Sequence, residues 1–484
     1  ALWQGGVPRE ALHIVTVDES PISKMLVSHS DVDRVILTGG WDTAKLFRSW
    51  RPDLQLLAET SGKNAIVVTP SADLDLAVAD VSKSAFGHAG QKCSAASLAI
   101  LVGSVGTSER FNRQLIDSVS SLVVGWPDDP TSVMSPVIEP PQDKLMGALT
   151  KLQEGESWLL EPKQLDSSGR LWSPGIRTGV KPGSEFHTTE YFGPVLGIMH
   201  ASDLDEAIRW QNATDFGLTA GIHSLDPDEV NTWIDTVEAG NLYVNRGITG
   251  AVVQRQPFGG WKRSTVGTTS KAGGPNYLTH LGTWRPRPLR SVPSDVKLSA
   301  PVEAILSGVQ GSLGADEIAG LRAAAASDQV AWSREFGIRK DVTGLGVERN
   351  VFRYLPVPVE VRGDESLSDL VRVLLAARRA GSSITVSSSV PLPDGIADHV
   401  VETHEAWLTR MAKQHPQRVR VIGTPASELA EAVKGDPDVA IYGGAVTQSG
   451  RIELLPFLRE QAISITNHRF GNPDRAFDAV LPRS

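Results

Sequence analysis

Residues 71–102 constrain the fold of this chain more than any other stretch. Apolar side chains recur at intervals of three and four residues from Leu74 to Phe86, which predicts an amphipathic helix with Ser71 as its N-terminal cap. Glycines interrupt that pattern, and the apolar run at 98–102 is typical of a buried strand. A helix, a short loop and a buried strand in succession predict an α/β fold for this part of the chain.

Cys93, the only cysteine of the chain, lies in the loop between that helix and that strand. On residue type alone, a lone cysteine is most often a small buried hydrophobic residue. A second feature points to chemistry, because Glu59 ends an apolar, strand-like run and is followed by Thr-Ser-Gly. A carboxylate in that position suits a general base that activates water or a thiol. Cys93 and Glu59 are therefore the candidate nucleophile and the candidate base.

A possible phosphate-binding turn precedes Glu59 in the chain. Residues 35–37 predict a buried strand, and Gly39 and Gly40 separate it from a helix predicted for residues 42–49. Main-chain amides at a helix N-terminus favour an anion, especially where glycine leaves them bare. Two adjacent glycines between a strand and a helix more often mark only a tight turn, so the pattern by itself favours that interpretation over a phosphate site.

Composition limits the classes of function. The net charge is −9, so the surface repels nucleic acid. A single cysteine excludes an internal disulfide, and no apolar run reaches the roughly 18 residues that cross a bilayer, so a cytoplasmic protein is expected. The histidines are scattered, and no metal site is predicted. The chain starts at Ala1 without methionine, which suggests that its amino end is a cut.

Short motifs across the first 280 residues identify a family. They occur in the order ETSGKN, GQKCSA, EYFGP, NATDFGLTAGIHS, GNLYVNR and QPFGG. With this set the chain resembles the aldehyde dehydrogenase superfamily. The longer segments VNRGITGAVVQRQPFGG and KAGGPNYL, and the long tail, narrow the resemblance to L-glutamate γ-semialdehyde (pyrroline-5-carboxylate) dehydrogenases, in particular to that half of the bifunctional proline utilization A flavoenzymes.

The resemblance implies the chemistry and most of the site. It implies that the Cys93 thiolate attacks an aldehyde, that NAD accepts the hydride, and that Glu59 activates the water that hydrolyses the thioester. The cofactor contacts it implies are Gly39, Gly40, Thr60, Glu190 and Phe192. The contacts it implies for glutamate γ-semialdehyde are Lys92, Ser94, Gly250, Ala251 and Phe258. The main-chain amide of Cys93 is expected to hold the oxyanion.

The expected organisation has four parts. Residues 1–62 are expected to be a truncated remainder of a Rossmann-type NAD-binding domain, and residues 63–282 an α/β catalytic domain. A linker with several Pro and Arg residues spans 283–295. In 296–484, alternating strands and helices predict a parallel sheet with helices on both faces and no phosphate-binding glycines, a degenerate Rossmann-like domain. We expect that domain to be non-catalytic.

Two alternatives stay open at this point. One is an aldehyde dehydrogenase of broader specificity. The other is an inactive fragment that acts as a structural or lid module of a larger enzyme, because the first strands of the cofactor domain are missing and the tail lacks motifs. A cysteine hydrolase explains neither EYFGP nor the glycine turn. A proline dehydrogenase partner and a homo-oligomer complete the expectations.

Overall fold

The computed structural model describes residues 1–18, 20–287, 289, 295–364 and 366–481. Helices and strands alternate along most of this part of the chain. The α-helices are α1 Pro21–Ser28, α2 Trp41–Trp50, α3 Leu74–Phe86, α4 Glu109–Ser120, α5 Asp143–Thr150, α6 Glu185–Thr188, α7 Leu204–Asn212, α8 Pro227–Thr236, α9 Ala300–Gly308, α10 Ala315–Ala331, α11 Leu367–Ala380, α12 His404–Gln414, α13 Ala426–Ala432 and α14 Gly450–Glu453. The β-strands are β1 Val35–Thr38, β2 Leu56–Glu59, β3 Asn64–Val68, β4 Ala96–Val102, β5 Ser157–Leu160, β6 Gly175–Thr178, β7 Val195–Ala201, β8 Phe216–Gly217, β9 Thr219–His223, β10 Asn241–Val244, β11 Trp261–Lys262, β12 Thr265–Val266, β13 Lys340–Asp341, β14 Glu348–Pro356, β15 Val359–Gly363, β16 Ile384–Ser388, β17 His399–Val401, β18 Arg418–Ile422, β19 Ala440–Tyr442, β20 Leu458–Thr466, β21 His468–Arg469 and β22 Asn472–Pro473.

Most strands of the predicted catalytic domain, residues 63–282 (the catalytic part), belong to one large sheet. Its strand order is β13-β14-β20-β10-β9-β3-β4-β7-β6-β5. Neighbours from β20 to β6 run parallel, and the strands at both edges are antiparallel. Every residue of β3 is buried, as expected for a parallel strand whose two faces are both covered. The largest apolar core surrounds this sheet. The α/β fold predicted from the sequence is therefore present.

A small sheet with strand order β1-β2-β12 places Glu59. Strand β2 runs parallel to β1 and antiparallel to β12, so that Thr38 and Thr265 flank Glu59 in register. The prediction of a buried strand at 35–37 is wrong, because burial alternates along β1 and Ile36 is 57% exposed. One face of β1 contributes to a small apolar cluster with α2, and the other meets solvent.

The helix before the cysteine loop starts later than the sequence predicted. Asp73, not Ser71, caps α3, and its Oδ1 accepts from the main-chain N–H of Leu76 at 3.3 Å. The Ser71 hydroxyl instead donates to Glu229 at 2.6 Å. A turn between Thr69 and Ala72 delays the start of the helix and moves Ser71 away from its first amides.

The tail contains the predicted parallel sheet, with strand order β17-β16-β15-β18-β19. Helix α11 ends at Gly381, whose φ of +71° is the left-handed conformation that glycine readily adopts. The apolar spacing at 398–411 predicts one helix, and this prediction is wrong in its first part. Residues 399–401 form β17, and α12 begins only after Thr403, whose hydroxyl accepts from Ala406 at 3.2 Å.

Part of the tail joins the catalytic sheet. Strand β20 lies between β10, to which it is parallel, and β14, to which it is antiparallel. Residues 288 and 290–294 of the predicted linker lie outside the described residues. The predicted domain boundary at 295/296 therefore divides the chain, but strands from both sides of that boundary share the large sheet. Among the helices of the described ranges, none is long and apolar enough to cross a bilayer.

Candidate active site

Cys93 lies in the loop between α3 and β4 and is half-buried. Asn64, the first residue of β3, holds that loop. Its side-chain amide donates to the carbonyl groups of Cys93, at 2.7 Å, and Ala95, at 2.9 Å. Its Oδ1 accepts from the main-chain N–H of Thr219 on β9 at 3.0 Å. Sequence reasoning missed Asn64, although an asparagine at the start of a buried strand within ETSGKN was the available signal.

Two glycines allow three loops to meet around Cys93. A Cβ atom on Gly62 would overlap the carbonyl oxygen of Cys93 and the side chain of Asn64. Gly90, with φ of +69°, lies directly against the carbonyl group of Gly193. The loop after β2, the cysteine loop and the EYFGP loop are thereby brought together.

Glu190, from EYFGP, is anchored at the edge of this site. Its Oε1 accepts from the main-chain N–H of Gly62 at 2.9 Å. Burial raises the pKa of Glu190, whereas the Gly62 amide and the nearby Lys63 ammonium lower it. Lys63 lies 4.3 Å from the ring centroid of Phe186, and burial lowers its pKa to about 7. Phe192, with 41% of its surface exposed, retains an accessible ring.

Glu59 is the last residue of β2, as predicted from the sequence. Both of its carboxyl oxygens are buried and have no hydrogen-bond partner among the described residues. Burial raises the pKa of Glu59 to about 8, and the Lys271 ammonium acts in the opposite direction. A carboxyl group with this pKa is poised to take and release a proton near neutral pH.

Gly62 links Cys93 to Glu190, because it lies against the carbonyl oxygen of Cys93 and donates its N–H to Glu190. Burial raises the pKa of the Cys93 thiol, and the carboxylates of Glu190 and Glu59 raise it further. Main-chain amides of Ser94 and Cys93 oppose this effect. The thiol therefore lies near the acidic residue of EYFGP and senses the charge of the candidate base, and the two main-chain amides suit a developing oxyanion.

The predicted substrate residues beside the cysteine have different settings. Lys92 and Glu190 line a cavity of about 20 Å³, which is the size of one water molecule. Ser94 is buried, and its carbonyl group accepts from the hydroxyl of Thr219 at 3.3 Å. Both residues flank the thiol in the chain, as the substrate prediction requires.

The predicted substrate loop follows β10. Gly250, with φ of +84°, and Ala251 are exposed. The loop is held in place by contacts that lie later in the chain. Gln256 accepts from Val252 N–H at 2.9 Å, while the main chain of Phe258 pairs with Ala272. Within the described ranges no hydrogen bond joins the exposed pair to the residues that flank the thiol. The substrate contacts of this loop therefore stay a prediction.

The glycine turn has the form expected of a phosphate site. Gly40 is the N-cap of α2, and no side chain in the described residues caps that end. Gly39 donates its N–H to the carbonyl of Glu59 at 3.2 Å. Thr60 is placed differently, because it is 2% exposed and its hydroxyl donates to the carbonyl of Arg263 at 2.5 Å. Its part in cofactor binding remains a prediction.

A cavity of about 590 Å³ lies beside Glu59. Its walls come from the catalytic part, including Lys271, and from the tail, including Arg459 and Glu460. Cys93 is not part of the wall, so Glu59 faces the cavity while its charge also reaches the thiol. The carboxyl oxygens of Glu59 are themselves buried, so the cavity borders the residue without exposing its carboxylate.

With this fold and site, the class of protein is defined: residues 1–284 match the aldehyde dehydrogenase family, and the chain belongs to that family. It is similar to 1-pyrroline-5-carboxylate dehydrogenase of Oceanobacillus iheyensis, with 36% identity over 290 residues, 58% of this chain and 55% of that protein. The Bacillus subtilis protein of the same name is 35% identical over 285 residues, 57% of this chain and 54% of that protein. The chain thus spans about half the length of the curated relatives it matches.

A solved structure matches the tail as well. Proline utilization A (PutA) from Corynebacterium freiburgense is 49% identical, with a TM-score of 0.85, and the match covers 97% of this chain and 45% of that protein. The resemblance inferred from the short motifs and from the tail is confirmed. The predicted aldehyde dehydrogenase-like fold is confirmed with it.

Proposed function

We propose that this chain performs the NAD-dependent oxidation of L-glutamate γ-semialdehyde to L-glutamate. The observation that carries the proposal is that Gly62, three residues after Glu59, lies against the carbonyl group of Cys93 and donates its N–H to Glu190, while Asn64 holds the cysteine loop in place. The substrate is supported by the relatives named 1-pyrroline-5-carboxylate dehydrogenase. They lead us to favour this substrate over a broad range of aldehydes.

The reaction begins at the sulfur. Cys93 loses its proton to water, and the thiolate attacks the aldehyde carbon, so that a C–S bond forms and the carbonyl oxygen becomes an oxyanion. The main-chain amides of Cys93 and Ser94 lie near the sulfur and can donate to that oxygen. Because burial and two carboxylates raise the thiol pKa, deprotonation is the step that this site makes costly.

The residues that fit the cofactor come from the glycine turn before α2 and from EYFGP. The uncapped N-terminus of α2 after Gly39 and Gly40 offers amides to a diphosphate. Glu190, with one oxygen on Gly62, offers the other to a ribose hydroxyl. When bound, NAD supplies the acceptor for the hydride that leaves the tetrahedral carbon. Thr60 and Phe192 complete the proposed cofactor contacts.

Hydrolysis of the thioester belongs to Glu59. Its carboxylate takes a proton from water, the water oxygen attacks the acyl carbon, and the C–S bond breaks to release the acid and the Cys93 thiolate. The thiolate then takes that proton from Glu59, which returns to its ionised form. The cavity of about 590 Å³ beside Glu59 is the proposed source of the water. A pKa of about 8 leaves only about a tenth of Glu59 ionised at pH 7, so hydrolysis should become faster as the pH rises towards 8.

Substrate selection is assigned to two groups of residues. Lys92 and Ser94, next to the nucleophile, and the exposed amides at Gly250 and Ala251 would hold the α-carboxylate. Phe258 would pack against the aliphatic part of the substrate. Rates with glutamate semialdehyde and with propionaldehyde, followed by NADH absorbance, test this proposal. A clear preference for the amino acid substrate supports it, and equal rates would favour the broad-specificity alternative.

The role of the chain within a larger enzyme is also a proposal. The Corynebacterium freiburgense relative supports a proline dehydrogenase partner, because this chain covers 45% of that protein. We retain residues 1–62, 63–282, 283–295 and 296–484 as the segments of the chain, and a cytoplasmic homo-oligomer as its state. NAD titration decides against the lid-module alternative if binding saturates. Light scattering measures the molar mass of the chain with and without a proline dehydrogenase, and so tests both the homo-oligomer and the partner.

A further inference from the structure

Glu460 is a carboxylate from the tail that lies inside the catalytic part of the molecule. It belongs to β20 and is 9% exposed. Its Oε2 accepts from the main-chain N–H of Lys271 at 2.7 Å, and its Oε1 accepts from Nδ2 of Asn276. Its carbonyl group accepts from the Trp261 indole at 2.8 Å. The residue thus holds both ends of the segment 271–276.

That segment needs support from outside. Its sequence is Lys-Ala-Gly-Gly-Pro-Asn, and Gly273 has φ of +70°, so the segment has little conformational preference of its own. Tyr354 on β14 provides a second contact, because its hydroxyl accepts from Asn276 at 2.9 Å and donates to Glu335 at 3.2 Å. Both supporting strands, β14 and β20, belong to the tail.

Lys271 connects this support to the catalytic base. Its ammonium group is buried and donates to Oδ1 of Asn241 at 2.8 Å and to the carbonyl of Gly259. Gly259 lies between Lys271 and Glu59, because a Cβ atom there would come within 3.1 Å of Oε1 of Glu59 and 3.3 Å of Cγ of Lys271. The charge of Lys271 favours the ionised form of Glu59. Burial lowers the pKa of Lys271 to about 8, and the carboxylates of Glu59 and Glu460 oppose that effect. The position of this ammonium therefore affects how easily Glu59 works as a base.

We propose that Glu460 is a positioning residue for thioester hydrolysis: by fixing the main chain at Lys271 and the side chain of Asn276, it places the Lys271 ammonium beside Glu59. This inference rests on the proposed function, because it concerns the step assigned to Glu59. It assigns to the tail a part in the reaction that the sequence did not predict.

Two substitutions of Glu460 remove its hydrogen-bond acceptors in part or completely. Glu460→Gln keeps the shape but offers one acceptor oxygen, so that one of the two donors, Lys271 N–H or Asn276 Nδ2, loses its partner. Glu460→Ala removes both acceptors. A matched control is Glu360→Gln, on β15 of the tail. Glu360 is also a buried carboxylate, and its partner Arg410 keeps a second bond to Glu402.

The test uses p-nitrophenyl acetate, which acylates a thiol without NAD. Release of p-nitrophenol in the first turnover measures acylation of Cys93, and the steady-state rate measures hydrolysis at Glu59. For Glu460→Gln we expect an unchanged first turnover and a steady-state rate lower by about tenfold, since a general base contributes about 10²–10⁴-fold in all. Glu460→Ala should be slower still, and Glu360→Gln should match the wild type in both phases.

Each outcome has a defined meaning. Wild-type hydrolysis by Glu460→Gln overturns the inference while leaving the proposed function intact. A parallel loss of both phases, or the same loss in Glu360→Gln, also overturns it, because it indicates a general structural effect. If the wild-type chain shows no first-turnover release, the proposed role of Cys93 fails and the inference fails with it.

Discussion

Replacement of Glu59 by Gln should make the stability of the folded chain less dependent on pH. Burial raises the pKa of Glu59 from 4.5 to about 8, so the folded chain holds a proton that the unfolded chain has released. A group with a raised pKa stabilises the fold fully below its unfolded pKa, and this stability is lost as pH rises towards the folded pKa. The loss amounts to about 1.4 kcal/mol per pH unit, or about 3 kcal/mol between pH 5 and 7.

Urea unfolding of the wild type and of Glu59→Gln at pH 5, 6 and 7 measures this difference. The variant should gain about 3 kcal/mol relative to the wild type across that range. Lys271 contributes little below pH 7, since it faces an uncharged neighbour in both chains. Exposed Glu154→Gln serves as the control and should show no such trend. A wild-type–variant difference that stays constant with pH for Glu59→Gln would refute the argument that its carboxyl is desolvated.

Three further predictions concern the same site. Glu190→Gln should speed alkylation of Cys93 by iodoacetamide at pH 7.5, and Glu59→Gln should do so to a smaller extent, since both carboxylates raise the thiol pKa; mass spectrometry of the single cysteine reads the rate. Hydrolysis of acetylated wild-type chain should be about fivefold faster at pH 8 than at pH 7, since the ionised fraction of Glu59 rises by that factor; equal rates would exclude Glu59 as the base. Asn64→Ala should lower the free energy of unfolding by about 3 kcal/mol, because it leaves buried carbonyl and amide groups unpaired; a urea titration with a loss below about 1 kcal/mol would contradict this.

Local sequence patterns were sufficient to predict where Glu59 and Cys93 lie relative to their helix and strand. Glu59 ends a strand and Cys93 follows a helix, and both features depend on apolar spacing and glycine within a few residues. The convergence of these residues with Glu190 could be expected only from the order of the family motifs, because spacing along the chain does not determine which loops meet. The structure adds the reason for the meeting, which is the close contact of Gly62 and Gly90 with neighbouring carbonyl groups.

The contribution of the tail could not be predicted in this way. The apolar residues of β20 do not determine which sheet the strand joins, and Asn241 on the neighbouring β10 lies more than two hundred residues earlier in the chain. The sequence therefore offers no reason to distinguish Glu460 from the other residues of the predicted degenerate domain. The prediction that Ile36 is buried was wrong for a related reason, because an apolar residue is buried only where another element covers it.

The central claim is that the Cys93 sulfur forms a thioester that Glu59 then hydrolyses. The most direct measurement is peptide mass spectrometry of Glu59→Gln after incubation with NAD and glutamate semialdehyde, together with NADH absorbance. We expect about one glutamyl adduct per chain on the Cys93 peptide, and one equivalent of NADH without further turnover. An unmodified Cys93, or an adduct on another residue, would contradict the role of Cys93 as the nucleophile.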